Sequence, residues 1–417
     1  MASYFLYNIA NLVVAQSEND KPLRGKRQGE LETIPDAYIL IKGGLIEAFG
    51  RKETLLTPPR EYTPMDMKQS LVMPAFVDPH THLVFAGTRE NEFTMRLQGA
   101  SYLDILSKGY GIHQTVQQTE SASFDELLHL AQNRLIDLER YGTVGVEIKS
   151  GYGLKPAVEL KLLRVIRELK KNTPHPISTT FLAAHALPME FKNKREDYIR
   201  QVLEETIPEV AKEGLADFID VFCEKDVFSM DECERILLKG ASLGLRPKLH
   251  TDEFYSIGGI SLAARVEAVS VDHMITATDE DLQSLQGKDT VAVILPGTSF
   301  SIPHTKRDYA RKIIEANIPL AIGTDFNPGT CMCYSQQMMM ELSVLLYSLT
   351  INEAINAITV NASFAAGLHN STGMMKEGYR ADLISMRVRE VNEIAYHWGI
   401  NKIQRIFLSG VKVEFEA

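Results

Sequence analysis

The chain has 417 residues, 45% of them hydrophobic and 24% charged, and its 44 Lys and Arg against 54 Asp and Glu give a formal net charge of -10. With 27 Gly, 17 Pro and a mean hydropathy of -0.10, this composition excludes disordered, collagen-like and fibrous classes. The acidic excess argues against a protein that tracks nucleic-acid phosphates, and any site for an anionic ligand must be built locally from arginine or backbone donors.

At about 150 residues per domain the length suggests two or three domains, although one α/β barrel can absorb roughly 250 residues or more. Residues 4–14, 37–41 and 44–49 read as strands, followed by a connector containing Pro58, Pro59 and Pro64. Residues 381–388 and 403–413 read likewise after a turn at Lys376-Glu377-Gly378. Chain ends often lie close together, so 1–70 and 375–417 are expected to form one composite β-sandwich domain. Between them, short apolar runs at 71–77, 143–148, 177–182, 217–222, 247–250, 268–272, 290–295 and 319–322 alternate with helical periodicity at 124–141, 155–171, 195–213, 231–243, 256–266 and 309–317. Eight strands with helices between them predict an α/β architecture, a (β/α)8 TIM-type barrel over 71–374, with its chemistry at the C-terminal strand ends.

No stretch reaches the roughly 18 to 20 apolar residues of a membrane span, and the N-terminus lacks a basic segment followed by an apolar core. A soluble, cytoplasmic protein without membrane or nucleic-acid partners is expected. The four cysteines, Cys223, Cys233, Cys331 and Cys333, show no CxxC spacing and fit a reducing compartment. Cys331-Met332-Cys333 reads as two incidental loop thiols rather than a metal site.

The histidines carry the chemical signal. His80 and His82 end Pro74-Ala75-Phe76-Val77-Asp78-Pro79-His80-Thr81-His82, and alternation in an extended segment turns residues i and i+2 to one side, so both rings can reach one ion. His250 ends the fifth candidate strand, His273 follows the sixth, and Asp325 follows the eighth in Gly323-Thr324-Asp325. Each alone is more simply a satisfied polar residue in a loop. Together they match a catalytic zinc or iron site, in which three histidines and a carboxylate leave one position open for water.

This arrangement resembles the amidohydrolase superfamily, whose pattern is H-x-H after strand one, His after strands five and six, and Asp after strand eight. The resemblance extends to the closing stretch Asn352-Glu353-Ala354-Ile355, Thr359-Val360-Asn361-Ala362-Ser363 and Glu377-Gly378-Tyr379-Arg380-Ala381-Asp382-Leu383. More narrowly, Phe85-Ala86-Gly87-Thr88-Arg89, Glu147-Ile148-Lys149-Ser150-Gly151-Tyr152-Gly153, Phe181-Leu182-Ala183-Ala184-His185-Ala186 and Asp325-Phe326-Asn327-Pro328-Gly329-Thr330 are similar to the imidazolonepropionase family. That likeness implies hydrolysis of the cyclic amide of 4-imidazolone-5-propanoate to N-formimino-L-glutamate in histidine degradation. Many superfamily relatives bridge two metals with a carboxylated lysine after strand four. Here that position reads Phe222-Cys223-Glu224, and Lys225 beyond it reads as a solvated loop lysine. One divalent or trivalent metal ion per subunit, zinc or iron, is therefore expected on His80, His82, His250 and Asp325, as the resemblance also implies.

Opening a cyclic amide requires an activated water, an oxyanion stabiliser and a proton donor for the leaving nitrogen. Asp325 is assigned the water's proton, His273 the orientation of the water or oxyanion, and Glu253 a hydrogen bond to the ring or the water. Arg89 can hold the propionate through charge-assisted hydrogen bonds; its plainer role is an ion pair with Glu90 or Glu92. The resemblance makes Tyr152 and His185 contacts to the ring and carboxylate, against the plainer readings of a loop aromatic covering apolar surface and a hydrogen-bonded strand-end histidine. The turn with Asn327, Gly329 and Thr330 completes the pocket. His113, His129, His175, His304, His369 and His397 receive no role, Met338-Met339-Met340 reads as helix packing, and Gly258-Gly259 lacks a dinucleotide-binding frame. Relatives of this kind imply a homodimer. The alternatives are an aminohydrolase acting on a purine- or pyrimidine-like ring, whose recognition shell would differ, and a non-catalytic binding relative, which would have lost ligands.

Overall fold

The computed structural model describes residues 3–55, 60–99, 110–302 and 307–414. Pro58, Pro59 and His304 lie outside the described residues. Two sheets organise the chain. The first has seven strands: β1 (Tyr4–Val14), β2 (Glu32–Lys42), β3 (Leu45–Arg51), β4 (Thr63–Pro74), and, from the other end of the sequence, β13 (Leu383–Met386), β14 (Ile403–Leu408) and β15 (Val411–Lys412). Their order is β15-β14-β13-β4-β1-β2-β3, so β4 joins the N-terminal strands to the C-terminal ones. It pairs parallel to β1 and antiparallel to β13. Alternation divides the side chains of this mixed sheet between two cores. Leu6, Ile9, Ile39, Val72, Leu383 and Phe407 pack among themselves, whereas Leu71, Met73, Ile384, Met386 and Ile406 join the large core of the barrel.

The second sheet has eight strands: β5 (Phe76–Thr81), β6 (Thr143–Lys149), β7 (Ile177–Ala184), β8 (Phe218–Cys223), β9 (Arg246–Thr251), β10 (Ser270–His273), β11 (Val291–Ile294) and β12 (Leu320–Ile322). They lie in sequence order and each pairs parallel with the next. Closure comes just beyond β12, where Asp325 N donates to His80 O at 3.0 Å and His82 N donates to Phe326 O at 2.9 Å. The sheet thus forms a barrel whose seam joins the ends of its first and last strands. The H-x-H segment and Asp325 meet there because the backbone hydrogen bonds that close the barrel run between them.

The apolar run 71–77 is not one strand. Ala75 N donates to Asp382 O in the terminal sheet at 3.0 Å, and Phe76 N donates to Gly142 O at the barrel's edge at 2.9 Å. Successive amides therefore belong to different sheets, which a continuous apolar run conceals. The stretch expected as a connector around Pro64 is the first half of β4, where Lys68 and Gln69 both have φ of 55°. These two left-handed residues interrupt the alternation that would have marked a strand. The helix expected over 195–213 is continuous but widens to a π turn at Val202–Thr206, immediately before Pro208, which lacks the amide to continue a regular ladder. Met338, Met339 and Met340 do pack a helix, Gln336–Tyr347, against the barrel. No helix among the described residues is long and apolar enough to cross a membrane.

Candidate active site

Four strand ends, those of β5, β9, β10 and β12, converge on one buried cluster of imidazole and carboxylate groups. The ring centres of His80 and His82 are 5.4 Å apart, those of His80 and His250 4.5 Å, and those of His250 and His273 5.4 Å. Asp325 Oδ1 lies 3.4 Å from His80 Nε2 and 3.5 Å from His82 Nε2. Among the described residues, three groups have ligand atoms within 4.8 Å of one another: His80, His82 and Asp325; His80, His250 and His273; and Asp220, His250 and Asp272. The first two carry the expected ligands and share His80. Burial leaves His80 Nε2 and both ring nitrogens of His250 without a hydrogen-bond partner. Buried imidazole nitrogens without partners are costly unless something else binds them, so the cluster can bind a metal ion.

The electrostatics suit ligation. Burial holds His80, His82 and His273 well below the usual histidine range, helped by Lys149 for His80, by His185 for His82 and by His250 for His273. The rings are therefore neutral at pH 7, the state that binds metals. Burial pushes Asp325 up to about 6, opposed by the hydroxyl of Thr298, which donates to Oδ2 at 2.6 Å. Four residues at these strand ends adopt left-handed backbone: Asp252 at φ 57°, His273 at 78°, Met274 at 58° and Asp325 at 51°. Strain of this kind persists where surrounding contacts over-determine the backbone, as at a functional site.

The expected binding residues surround the cluster. His185 stacks on His82 with ring centres 5.2 Å apart and contacts Gly151 O through Nδ1 at 3.0 Å; burial and then His250 lower it to about 3. Tyr152 is buried, 5.5 Å from His82 and 5.4 Å from His185 between ring centres. Its loop is clamped by Glu159, whose carboxylate accepts from the amides of Gly151, Gly153 and Leu154 at 3.1, 2.7 and 2.7 Å. The Glu253 side chain is 9% exposed and its carboxylate sits 3.8 Å from His273 Nδ1. Burial, then the charges of Asp325 and Glu224, push its carboxyl well above the usual range. Glu224 holds that loop by accepting from the amides of Glu253, Phe254 and Tyr255 at 3.0 to 3.1 Å.

Arg89 has found the plainer partner as well. Its Nε and one terminal nitrogen bind Glu92 at 2.8 and 2.7 Å, which leaves the other terminal nitrogen beside Gly329. A side chain at Gly329 would collide with it, since a Cβ there would lie 2.5 Å from that nitrogen. Asn327 acts chiefly within its own turn: Oδ1 accepts from the amides of Gly329 and Thr330 at 2.8 and 2.9 Å, and Nδ2 donates to the Thr330 hydroxyl at 2.9 Å. Next to this turn, Arg89, Arg96, Gly329 and Thr330 line one side of a cavity of about 480 Å3. Cys331 and Cys333 line the same cavity and are free thiols, and Lys225 is exposed with its ammonium 4.6 Å from the Tyr255 ring centre.

Sequence reasoning missed what lies beneath the histidines. Glu147, Lys149, Asp220, Lys248 and Asp272, all fully buried, form one charged cluster on the strands β6, β8, β9 and β10. Lys149 Nζ is 2.8 Å from Asp220, 3.1 Å from Glu147 and 3.4 Å from Asp272. Desolvation opposes its charge, but these three carboxylates outweigh it and hold the lysine above its ordinary value. The one available signal was alternation: Glu147 and Lys149 are i and i+2, as are Lys248 and His250, so each pair faces one side of its strand.

Comparison with known proteins places the chain among relatives of full length. The model of the amidohydrolase family matches residues 137–413. An imidazolonepropionase of Geobacillus kaustophilus is 39% identical over 414 residues, 98% of this chain and 97% of that one, and one of Alkaliphilus metalliredigens is 38% identical over 412 residues, with the same shares covered. Among solved structures, a triazine hydrolase superimposes with a TM-score of 0.72 at 13% identity, covering 99% of this chain and 94% of the other. Guanine deaminase of E. coli superimposes at 0.68 and 15% identity over both whole chains. Likeness at such identities concerns the fold.

Proposed function

The chain belongs to the amidohydrolase family and, within it, to the imidazolonepropionases, and from that premise we propose that it hydrolyses the cyclic amide of 4-imidazolone-5-propanoate to N-formimino-L-glutamate. The observation that carries this reading is identity of 38 to 39% sustained over 97 to 98% of the chain, supported by two overlapping groups of potential ligands that share His80.

His80, His82, His250 and Asp325 are the proposed holders of one zinc or iron ion. When bound, such an ion lowers the pKa of its water from 15.7 to about 7 and polarises the carbonyl under attack. The chain's own groups do the rest. Water adds to the amide carbon, the ring C–N bond breaks, and a carboxylate and a free nitrogen result. Asp325 accepts the water's proton and returns it to the leaving nitrogen. His273, neutral through burial, orients the water and the developing oxyanion. Glu253, whose carboxyl burial raises well above the usual range, hydrogen-bonds the ring or the attacking water. His185 and Tyr152 border the ring, and the terminal nitrogen of Arg89 left free by Glu92 meets the propionate beside the turn of Asn327, Gly329 and Thr330. This arginine favours a carboxylate-bearing substrate over the neutral ring of a nucleobase.

The test is to add purified chain to freshly generated 4-imidazolone-5-propanoate and follow its ultraviolet absorbance. Loss well above the spontaneous rate is expected; loss at the spontaneous rate would remove the proposal.

A further inference from the structure

The interior of a (β/α)8 barrel is ordinarily packed with branched aliphatic side chains. Here one cluster holds three carboxylates and two ammoniums, from Glu147, Asp220, Asp272, Lys149 and Lys248, all at 0% exposure. Stability does not account for it, since replacing a buried ionic cluster by apolar residues of similar volume is often neutral or stabilising. Its contacts give another account. Asp272 Oδ2 lies 2.6 Å from His80 Nδ1, and Asp220 Oδ2 lies 3.0 Å from His250 Nδ1. In His80 Nε2 is the nitrogen left buried without a partner; in His250 neither nitrogen has an aligned hydrogen bond, and Asp220 faces its Nδ1 at ion-pair distance. A carboxylate on the far nitrogen of a ligating imidazole fixes both its tautomer and its orientation.

One group touches both carboxylates. Lys149 Nζ is 2.8 Å from the Asp220 oxygen that faces His250 and 3.4 Å from the Asp272 oxygen that faces His80. It is anchored from its own strand by Glu147 at 3.1 Å. Lys248 approaches Glu147 at 3.4 Å and Pro79 O at 3.5 Å, so it sits to the side of this bridge. We propose that Lys149 is a positioning residue of the metal centre, which through Asp220 and Asp272 orients His250 and His80 together. The inference rests on the ligand assignment proposed above and adds what holds two of those ligands in register. The ends of β5 and β9 are thereby coupled through a lysine on β6 that itself binds neither metal nor substrate.

The full-length chain, stripped of metal, is titrated with zinc against a chromogenic chelator, with thermal unfolding followed in parallel. Lys149→Met is expected to raise the zinc dissociation constant about 10- to 100-fold, the range seen when partners of ligating histidines are lost. Because part of its effect runs through Asp272, the double variant Lys149→Met/Asp272→Asn is expected to lose less zinc affinity than the two single losses combined. A folded Lys149→Met chain that binds zinc within about twofold of the unaltered chain overturns the proposal, as do strictly additive effects in the double variant. Should Lys149→Met not fold, Lys149→Gln and Asp272→Asn read the same quantity, and unchanged zinc affinity in either overturns it. Failure of the ligand assignment itself has a different signature, because His80→Ala would then leave zinc affinity intact.

Discussion

At the scale of single residues, two groups divide binding from chemistry. Arg89 is held rigid by Glu92, so its remaining donor nitrogen is fixed before substrate arrives and little side-chain entropy is lost on binding. Asp325 is buried, left-handed and close to both His80 and His82, where a carboxylate can receive and return a proton. Arg89→Met is therefore expected to raise KM by roughly 10-fold or more with a smaller effect on kcat, the scale of a lost charge-assisted hydrogen bond. Asp325→Asn is expected to lower kcat by about 100- to 10,000-fold, the usual contribution of a general acid-base group. Steady-state kinetics on both variants check the division; an Asp325→Asn enzyme with full kcat would assign the proton to another residue.

At the scale of elements, the helix Phe124–Arg140 carries a carboxylate in an unfavourable place. Glu139 lies in its last turn, near the negative end of the helix dipole, is mostly buried, and has His175 Nε2 3.8 Å away. Burial raises Glu139 to about 7, while burial and then Arg380 lower His175 to about 4, so between those values neither group is charged and no ion pair forms. On Glu139 the folded state therefore holds a proton that the unfolded state releases near pH 4.5, so the stability from this carboxyl falls as pH rises from about 4.5 to 7 and stays low above it, while His175, neutral when folded, contributes the opposite change between about 4 and 6.5. Glu139→Gln is expected to raise Tm at pH 8 and to change it little at pH 4.5. A shift of equal size at both values would contradict this assignment. How far each element could be read from sequence follows the same physics. Strand ends bearing His80, His250, His273 and Asp325 were legible because polar residues stop apolar runs there. The start of β4 was not, because Lys68 and Gln69 break its alternation. The charged cluster was hidden because its partners stand on β6, β8, β9 and β10, far apart in sequence, and isolated charges within strands look like outward-facing positions.

At the scale of the whole molecule, closure of the barrel explains why the site lies where it does. The hydrogen bonds from Asp325 N to His80 O and from His82 N to Phe326 O seal the sheet and set the proposed ligands in place in one act. The terminal sheet supports that seam from outside through β4, whose chain passes directly into β5 across Ala75. An acidic protein of net charge -10 can in this way present a local positive field to an anionic substrate, from a bound cation and from Arg89. The most direct test of the account is to prepare the chain with graded amounts of zinc or iron and measure N-formimino-L-glutamate formed from 4-imidazolone-5-propanoate in each preparation. Product formation proportional to bound metal, reaching its limit at one ion per chain and lost in His80→Ala, is the predicted result. Enzymatic turnover that persists in fully metal-free chain, or a chain loaded with metal that opens no ring, would contradict it.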